Sequence, residues 1–287
     1  MSHIWQCPAC QAELVSKDQV LRCENNHTYD VAKEGYVNLL LANQKRSKDP
    51  GDNKAMINAR RGFLEQGYYQ PLADKLAELI NTHLPLCNLN RTLALFDAGC
   101  GEGYYLNQIR QTLQQSHLPA TSDAPRLIQA AGCDIAKVAI QKASKKYQQC
   151  HFAVASTFHL PVTDNSQDAV IQVFAPASAA EVQRVLRANG IWLQVNPAPE
   201  HLRELKAIIY DSAEPHQTKA ISSTDMQLVG DHRLSFEITF GSNADKTNLL
   251  MMTPFYWSAS EEAKQRIAQS LHTVTCDFHI QMLTKTG

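Results

Sequence analysis

The feature that most constrains the fold is a glycine-rich turn between an apolar strand and a helix, in residues 92–115 (TLALFDAGCGEGYYLNQIRQTLQQ). Residues 92–96 predict a short strand, and a helical pattern runs to about Gln115 after Gly99, Gly101 and Gly103. Glycine lets the chain turn sharply and lets a ligand approach the backbone closely. A strand, a glycine turn and a helix in this order predict a parallel sheet that binds a nucleoside cofactor.

Acidic residues stand at the tips of the first two strands. Asp97 precedes the glycines, Glu102 lies among them, and Asp134 ends the next apolar run, LIQAAGCD. Dinucleotide enzymes place a pyrophosphate on such a turn, and carboxylates would repel it. The ammonium and sulfonium groups of S-adenosylmethionine are cations that carboxylates attract, while Asp134 suits the ribose of either cofactor. The charges therefore favour S-adenosylmethionine, held by Asp97, Gly99, Gly101, Glu102, Gly103 and Asp134.

Strand and helix patterns continue to alternate after this turn. The predicted elements are a buried strand (168–176), a helix closed by Gly190 (179–190), a strand (191–197) and a helix (200–210). Two late segments, LSFEITF and CDFHIQM, alternate apolar and polar residues, as antiparallel strands do. The sequence predicts an α/β fold with a Rossmann-like, doubly wound sheet whose last two strands form an antiparallel pair.

Three of the eight cysteines lie close together near the N-terminus, in CPACQAELVSKDQVLRCENNH (residues 7–27). The spacing Cys-x2-Cys, then Cys-x3-His, can place four ligands on two knuckles joined by a short hairpin. Because apolar side chains are scarce here, a metal must stabilise this unit. The sequence predicts one structural zinc ion per chain, bound by Cys7, Cys10, Cys23 and His27. The other five cysteines are scattered and fit a core.

Bulk properties narrow the class of protein but not its partner. With 44% hydrophobic and 19% charged residues, the 287-residue chain resembles an ordinary globular protein. No apolar run approaches the roughly 20 residues of a membrane span, and no signal-peptide pattern is present, so we expect a cytoplasmic location. The net charge of −1 does not by itself indicate nucleic acid. Residues 33–61 contain seven basic and three acidic residues. This local excess of positive charge is expected either for binding to RNA phosphates or for a solvated surface.

Several motifs in a fixed order resemble the bacterial 23S rRNA guanine-N1 methyltransferases, the RlmA family, to which the tylosin-resistance methyltransferases are related. These motifs are the zinc pair, AKEGYVNLL, KRSKDPGD, ARRGFLEQGYYQPL and DAGCGEGYY. The resemblance spans essentially the whole chain and implies a class I methyltransferase fold with a small N-terminal zinc-binding domain. The expected domains are a zinc-binding domain (1–40), a basic linker and helix (41–66) and the methyltransferase domain (67–287).

The resemblance also implies roles for particular residues. The family's zinc ligands match Cys7, Cys10, Cys23 and His27, and its cofactor contacts match Tyr69, Gly101, Glu102 and His201. The basic loop is expected to bind the RNA backbone through Lys45, Arg46 and Lys48. The sequence departs from the family in a longer loop at 116–126 and in VFAPASAAE, where relatives have a Tyr and then PCKAEE.

The family transfers a methyl group to N1 of a guanosine in a hairpin of 23S rRNA. The guanine-745 type is favoured here, and the neighbouring guanine-748 type is the alternative. N1 lies on the Watson–Crick edge, so the base must be unpaired or extruded and then stacked on a side chain. Phe174, at the end of the fourth strand, is the candidate for stacking. The catalytic base is unknown, although His159 and Asp164 lie in the neighbourhood.

Two other functions stay open at this point. The chain could methylate a small molecule and use the zinc module as an accessory, or it could be a non-catalytic zinc-dependent RNA-binding protein. A homodimer is also open. If the zinc module folds separately, replacing Cys23 with Ser should unfold about the first thirty residues and weaken RNA binding more than cofactor binding.

Overall fold

The computed structural model describes residues 4–44, 52–84, 91–115, 127–210 and 226–285. Its N-terminal part is a small antiparallel sheet of β1 (Val15–Lys17), β2 (Val20–Arg22) and β3 (Thr28–Asp30). Asp18 and Gln19 join β1 to β2 with φ angles of 51° and 62°. Two consecutive positive φ angles match the twist of a tight hairpin, so the hairpin expected between the two metal knuckles is confirmed.

The other elements form one large sheet flanked by helices. In chain order they are β4 (Val37–Asn38), α1 (Lys54–Glu65), α2 (Gln70–His83), β5 (Leu93–Ala98), α3 (Tyr104–Gln115), β6 (Ile128–Asp134), α4 (Lys137–Lys146), β7 (His151–Val154), β8 (Gln167–Val173), α5 (Ala179–Val185), β9 (Leu186–Pro197), α6 (Arg203–Ile209), β10 (Met226–Thr239), α7 (Asn243–Met251), α8 (Glu261–Ser270) and β11 (Thr273–Lys285). The strands of this sheet lie in the order β10-β11-β9-β8-β5-β6-β7-β4. Strands β4 to β9 pair in parallel, whereas β11 is antiparallel to both neighbours. The predicted fold, including the antiparallel last pair, is confirmed.

The direction of winding reverses between β5 and β8. From β5 the chain moves outward through β6 and β7, and it then returns to β8, which pairs with the other side of β5. Open α/β sheets bind ligands in the crevice that such a reversal leaves at the carboxyl ends of the strands. The glycine turn follows β5 and therefore lies at this crevice.

Alternate side chains of β5 enter two different apolar clusters. Leu93 and Leu95 pack on the face that α2 and α3 cover, whereas Phe96 and Ala98 pack on the opposite face. All six residues of β5 are buried. This pattern is expected for a parallel strand that is covered on both sides.

The N-terminal segment covers part of that opposite face. The ring of Trp5 lies 6.5 Å from that of Phe96 in an edge-on arrangement. The backbone of Gln6 donates a hydrogen bond to the carbonyl of Pro161 at 2.9 Å. Residues 155–166, all of them described, form turns rather than a helix, so the N-terminal segment packs where a crossover helix would lie. The zinc module therefore shares an apolar cluster with the large sheet, so we expect the two parts to lose stability together, whereas the sequence predicted separable modules.

The helix that was predicted to close at Gly190 ends earlier, at Val185. Leu186 begins β9 and pairs with Gln167, after which the register shifts before Ile191 pairs with Ala169. A Cβ on Gly190 would lie 2.9 Å from the carbonyl oxygen of Arg187, so glycine permits a tight bend inside β9 rather than a helix end. The sequence pattern could not show this, because the pairing partner lies in another strand.

The two alternating segments near the C-terminus pair with each other as predicted. Leu234 lies opposite Phe278 and Phe236 opposite Cys276, which places both apolar rows on one face of the sheet. The loop predicted at 116–126 lies outside the described residues. The domain boundaries stay a prediction.

Candidate functional site

Two knuckles bring the four predicted metal ligands together. Gln11 and Asn26 each have a positive φ angle, 61° and 63°, and each amide donates back to the first cysteine of its knuckle, Cys7 or Cys23. One ligand atom from each residue lies within 4.8 Å of all the others, in the set Cys7, Cys10, Cys23 and His27. The predicted ligands therefore converge on one point.

The spacing of these atoms fits zinc. Sulfur and nitrogen ligands about 2.3 and 2.1 Å from a tetrahedral zinc ion lie roughly 3.4–3.8 Å apart. The Cys10 and Cys23 sulfurs lie 3.6 Å apart, and Nδ1 of His27 lies 3.5 Å from Cys23 Sγ. A hydrogen bond from the side chain of Asn25 lowers the pKa of Cys10 to about 6, which favours the thiolate that binds a metal. We propose these four residues as the ligands of a closed, structural site.

The glycine turn after β5 has the open geometry that a cofactor needs. Gly99, Gly101 and Gly103 have φ angles of 89°, 52° and 81°. A Cβ on Gly99 would lie 2.3 Å from that of Ala175, so only glycine fits there. A Cβ on Gly101 would meet nothing within 4 Å, so the turn is open on that side. A ligand can approach the backbone at Gly101.

Two carboxylates lie at this turn. Asp97 is 2% exposed, and burial together with the neighbouring Asp134 raises its pKa well above the ordinary value. Asp134 accepts hydrogen bonds from the amides of Gly101 at 3.0 Å and Ala136 at 2.8 Å. Burial raises the pKa of Asp134 as well. A cationic ligand would relieve the cost of keeping buried Asp97 and half-buried Asp134 close together, which is the chemistry that the sequence predicted.

Glu102 differs from the other two acids in its surroundings. It is 5% exposed, and within the described chain neither carboxylate oxygen has a hydrogen-bond partner. Burial raises its pKa to about 7, while the positive charges of Arg60, Arg61 and Lys142 act in the opposite direction. A buried acceptor without a partner is costly unless a ligand supplies a donor.

An aromatic cluster lies at the carboxyl ends of β8 and β9. Phe174 is 41% exposed and has a φ of 55°, a strained conformation for a phenylalanine. Its ring lies 5.9 Å from that of His201 and 5.8 Å from that of Phe278. Tyr69, by contrast, is 1% exposed and packs 5.2 Å from Phe278. Phe174 is therefore partly exposed beside the predicted cofactor contact His201, whereas Tyr69 is buried in the core.

Asp277 supports this cluster, and the sequence reasoning missed it. Its amide donates to Nδ1 of His201 at 3.2 Å, and its carboxylate accepts from the amide of Glu200 at 3.1 Å. The side chain is fully buried and forms two hydrogen bonds of 2.7 Å with Arg233. In the alternating strand CDFHIQM, Asp277 occupies a polar position, which reads as solvent-exposed. The Arg233 ion pair and the hydrogen bond from the Glu200 amide show that this carboxylate is buried instead.

Other predicted residues lie elsewhere. Asp164 is bound by Arg184 at 2.6 Å, and the same arginine contacts Gln6, so Asp164 has a structural partner. His159 is exposed, and within the described part of the chain its backbone amide donates to the carbonyl of Ser156 while its side chain forms no hydrogen bond. The predicted RNA-binding residues Lys45, Arg46 and Lys48 lie outside the described residues.

The Asp97→Asn variant is expected to bind S-adenosylmethionine roughly 10- to 100-fold more weakly, because a charge-assisted hydrogen bond contributes about 1.5–3 kcal/mol. Asp168→Asn is the matched control. Asp168 is also buried, but it lies at the start of β8 and pairs with Arg91 and Arg187. We expect this control to lower thermal stability and to leave the affinity unchanged in calorimetric titrations. Equal losses of affinity in both variants would contradict the role of Asp97.

Comparison with known proteins gives matches in both parts of the chain. Residues 5–48 match the family described as "RlmA, N-terminal", a zinc ribbon, and residues 89–252 match a "Methyltransferase domain" family. A 23S rRNA (guanine(748)-N(1))-methyltransferase of Streptomyces fradiae is 32% identical over 94% of this chain and 92% of its own length. YxjB of Bacillus subtilis, named a putative 23S rRNA (guanine-N(1)-)-methyltransferase, is 29% identical over 90% of this chain and 89% of its own.

The fold agrees with these matches. Loganic acid methyltransferase superposes with a TM-score of 0.55 at 8% identity, covering 83% of this chain and 99% of that protein. The class I methyltransferase fold is thereby confirmed. The methyltransferase domain implies S-adenosylmethionine as cofactor, and the zinc ribbon with its cysteine and histidine cluster implies a structural zinc. On its identity to the Streptomyces protein over nearly its whole length, the chain belongs to the family of 23S rRNA (guanine-N1)-methyltransferases.

Proposed function

We propose that this protein transfers the methyl group of S-adenosylmethionine to N1 of a guanosine in a hairpin of 23S rRNA. The observation that carries the proposal is the pair of acids, buried Asp97 and half-buried Asp134, at an open glycine turn in a chain that also carries the zinc cluster. The names of the relatives support the same reaction. Within the hairpin we favour guanine 745 as the target. Guanine 748, which the name of the Streptomyces relative specifies, is the competing position.

The chain's own residues account for binding and positioning. Bound S-adenosylmethionine supplies a methyl group on a sulfonium, which is the electrophile. We assign Asp97 to the ammonium group and Asp134 to the ribose, an assignment that the position of both acids at the turn and the open backbone at Gly101 support. Rate enhancement in such a transfer comes mainly from holding the acceptor in line with the methyl group. The group that accepts the N1 proton is unassigned.

The acceptor base must leave its stack to reach the cofactor. N1 of guanine lies on the Watson–Crick edge, which base pairing hides, so the enzyme must bind an unpaired or extruded base. Phe174 offers an exposed ring for stacking at the carboxyl end of β8, one strand away from Asp97. Strained backbone at such a position is typical of functional sites, where the surrounding structure maintains it.

Replacing Phe174 with Ala is expected to lower the rate of RNA methylation roughly 10- to 100-fold, because stacking contributes about 1–3 kcal/mol per base. The affinity for S-adenosylmethionine should not change. Leu127→Ala is the control, since Leu127 is also an exposed apolar residue (69%) but precedes β6, at the amino ends of the parallel strands and away from the glycine turn. Single-turnover rates on an RNA fragment separate stacking from cofactor binding. An unchanged rate in Phe174→Ala would remove Phe174 from the site.

The reaction itself is tested by methylation of a 23S rRNA fragment in vitro, followed by mass mapping of its digestion products. A single fragment that contains both candidate guanines measures activity, substrate and position together. We expect one added methyl group on one guanosine. Labelled methyl in a metabolite pool with unlabelled RNA would support a small-molecule methyltransferase instead. RNA binding without cofactor binding in calorimetry would support the non-catalytic alternative.

Partner and location follow from this proposal. The substrate 23S rRNA places the protein in the cytoplasm, where ribosomes are assembled. Within the described residues, every helix is too short or too polar to cross a lipid bilayer. The homodimer stays a prediction, which sedimentation velocity of the purified protein would test.

A further inference from the structure

Helices α1 and α4 carry a concentration of positive charge that the whole chain lacks. Together they contain seven basic residues and one acidic residue, while the chain has a net charge of −1. The basic residues are Lys54, Arg60, Arg61, Lys137, Lys142, Lys145 and Lys146. Even when their ion-pair partners Asp52 and Glu34 are counted, seven basic residues stand against three acidic ones.

Helix stability explains only some of these cations. Lys145 and Lys146 lie in the last turn of α4, where the helix dipole favours positive charge. Lys54 and Lys137 occupy the first positions of α1 and α4, where the dipole disfavours a cation, and neither helix has an acid in its first turn. Within the described part of the chain, neither lysine forms an ion pair. Helix stability therefore does not account for the cations at these two N-termini.

Contacts between the two helices bring Arg61, Lys142 and Lys146 close together. Lys142 donates to the side chain of Asn58, and Lys146 contacts Glu65 at 2.5 Å. Glu65 also pairs with Arg61 at 2.6 Å, so two cations share the one acid of α1. These contacts fix α1 beside α4.

The zinc module contacts helix α4 through Glu34. The side chain of Gln141 donates to Glu34 at 3.0 Å, and Lys145 lies 3.6 Å from the same carboxylate. Glu34 follows β3 in the chain, so the module borders α4 directly. We define the basic face as the seven basic residues named above.

The basic face adjoins the cofactor turn. Helix α4 begins three residues after Asp134, and the amide of Ala136, which precedes the helix, binds that carboxylate at 2.8 Å. From α1, the positive charge of Arg60 acts on both Asp134 and Glu102. An RNA strand that follows the basic face would therefore pass the mouth of the cofactor site.

We propose that the basic face binds the phosphate backbone of the RNA substrate and leads it from the zinc module to the cofactor site. This inference rests on the proposed function. Lysine contacts to phosphate give affinity and orientation without reading the base sequence. Each such contact releases counterions, so binding by this face must weaken as the salt concentration rises.

The test uses the full-length zinc-loaded protein and a 23S rRNA fragment that contains the target hairpin. The variant Lys137→Gln/Lys145→Gln removes two cations of the face. Both lysines are exposed, and Lys145 has only its distant contact with Glu34 to lose. The control Lys75→Gln/Lys264→Gln makes the same change in charge on α2 and α8, where each lysine pairs with a glutamate of its own helix.

We expect the face variant to bind RNA roughly 10- to 30-fold more weakly at low salt, with a slope of log Kd against log salt that is smaller by about 1–2. The control should bind as the unmodified protein does. Calorimetric titration with S-adenosylmethionine should give the same affinity in all three proteins. Equal RNA affinity and slope in variant and unmodified protein would show that the face is only a solvated surface. Failure of the unmodified protein to bind or methylate the fragment would overturn the proposed function instead.

Discussion

Removal of the metal by a chelator is expected to unfold the zinc module and to lower the melting temperature of the rest of the chain by about 10–20 °C. Structural zinc contributes roughly 10–16 kcal/mol of apparent binding free energy in small zinc domains, so the module cannot stay folded without it. Cys7 and Cys23 belong to the same apolar cluster as Trp5 and Phe96. Unfolding of the module therefore exposes the face of β5 directly behind Asp97.

Scanning calorimetry of Cys23→Ser and Cys150→Ser distinguishes the stability lost with the zinc ion from the stability lost by replacing a buried cysteine. Cys150 is also buried, at 6% exposure against 3% for Cys23, but it lies in the opposite apolar cluster, far in the chain from the four predicted metal ligands. We expect added zinc to restore the chelated unmodified protein but not Cys23→Ser, and Cys150→Ser to respond to zinc as the unmodified protein does. Affinity for S-adenosylmethionine should fall together with RNA affinity. Two independent transitions, with the second unchanged by chelation, would show instead that the modules are separable.

Glu102→Gln is expected to stabilise the free protein and to weaken cofactor binding. The folded-state pKa of about 7 lies above the ordinary value of 4.5, because the carboxylate is buried. The folded protein therefore holds this proton more tightly than the unfolded chain does. Its contribution to stability is present below pH 4.5 and is lost as the pH rises through 7. Glutamine stays neutral at every pH. The free energy of unfolding of Glu102→Gln should therefore exceed that of the unmodified protein by an amount that grows with pH and reaches about 3 kcal/mol above pH 7.

The cofactor should show the opposite pH trend. A cationic ligand favours the ionised carboxylate, so the affinity of the unmodified protein should rise as the pH passes through about 7. In Glu102→Gln this rise should be smaller, with roughly tenfold weaker binding at pH 8 than in the unmodified protein. Urea unfolding and calorimetric titration at pH 5, 6, 7 and 8 measure both effects.

Glu78→Gln is the control for this pair of measurements, because the Glu78 side chain is 62% exposed on α2. We expect both its stability and its cofactor affinity to follow the unmodified protein at every pH. If Glu102→Gln gained stability but kept full affinity, Glu102 would be a buried acid that does not contact the cofactor.

Local patterns predicted most of the fold. The glycine turn, the alternation in β10 and β11 and the spacing of the zinc ligands depend on residues that are close in sequence, and all three are found in the structure. The prediction of a helix end at Gly190 was wrong because that glycine serves strand pairing with β8. Asp277 was missed because its partner, Arg233, lies on another strand.

The sequence by itself determined which residues can bind zinc, where the chain turns around a cofactor and where most of the strands lie, because spacing and periodicity are local properties. Tertiary structure alone decided that Trp5 packs on Phe96, that α1 lies beside α4 and that Glu102 is buried among cations. Those contacts join residues that are distant along the chain. The hydrogen bond between Tyr68 and Asp245, which are 177 residues apart, is a further example. Their energies come from burial and charge in the folded state, which no local pattern encodes.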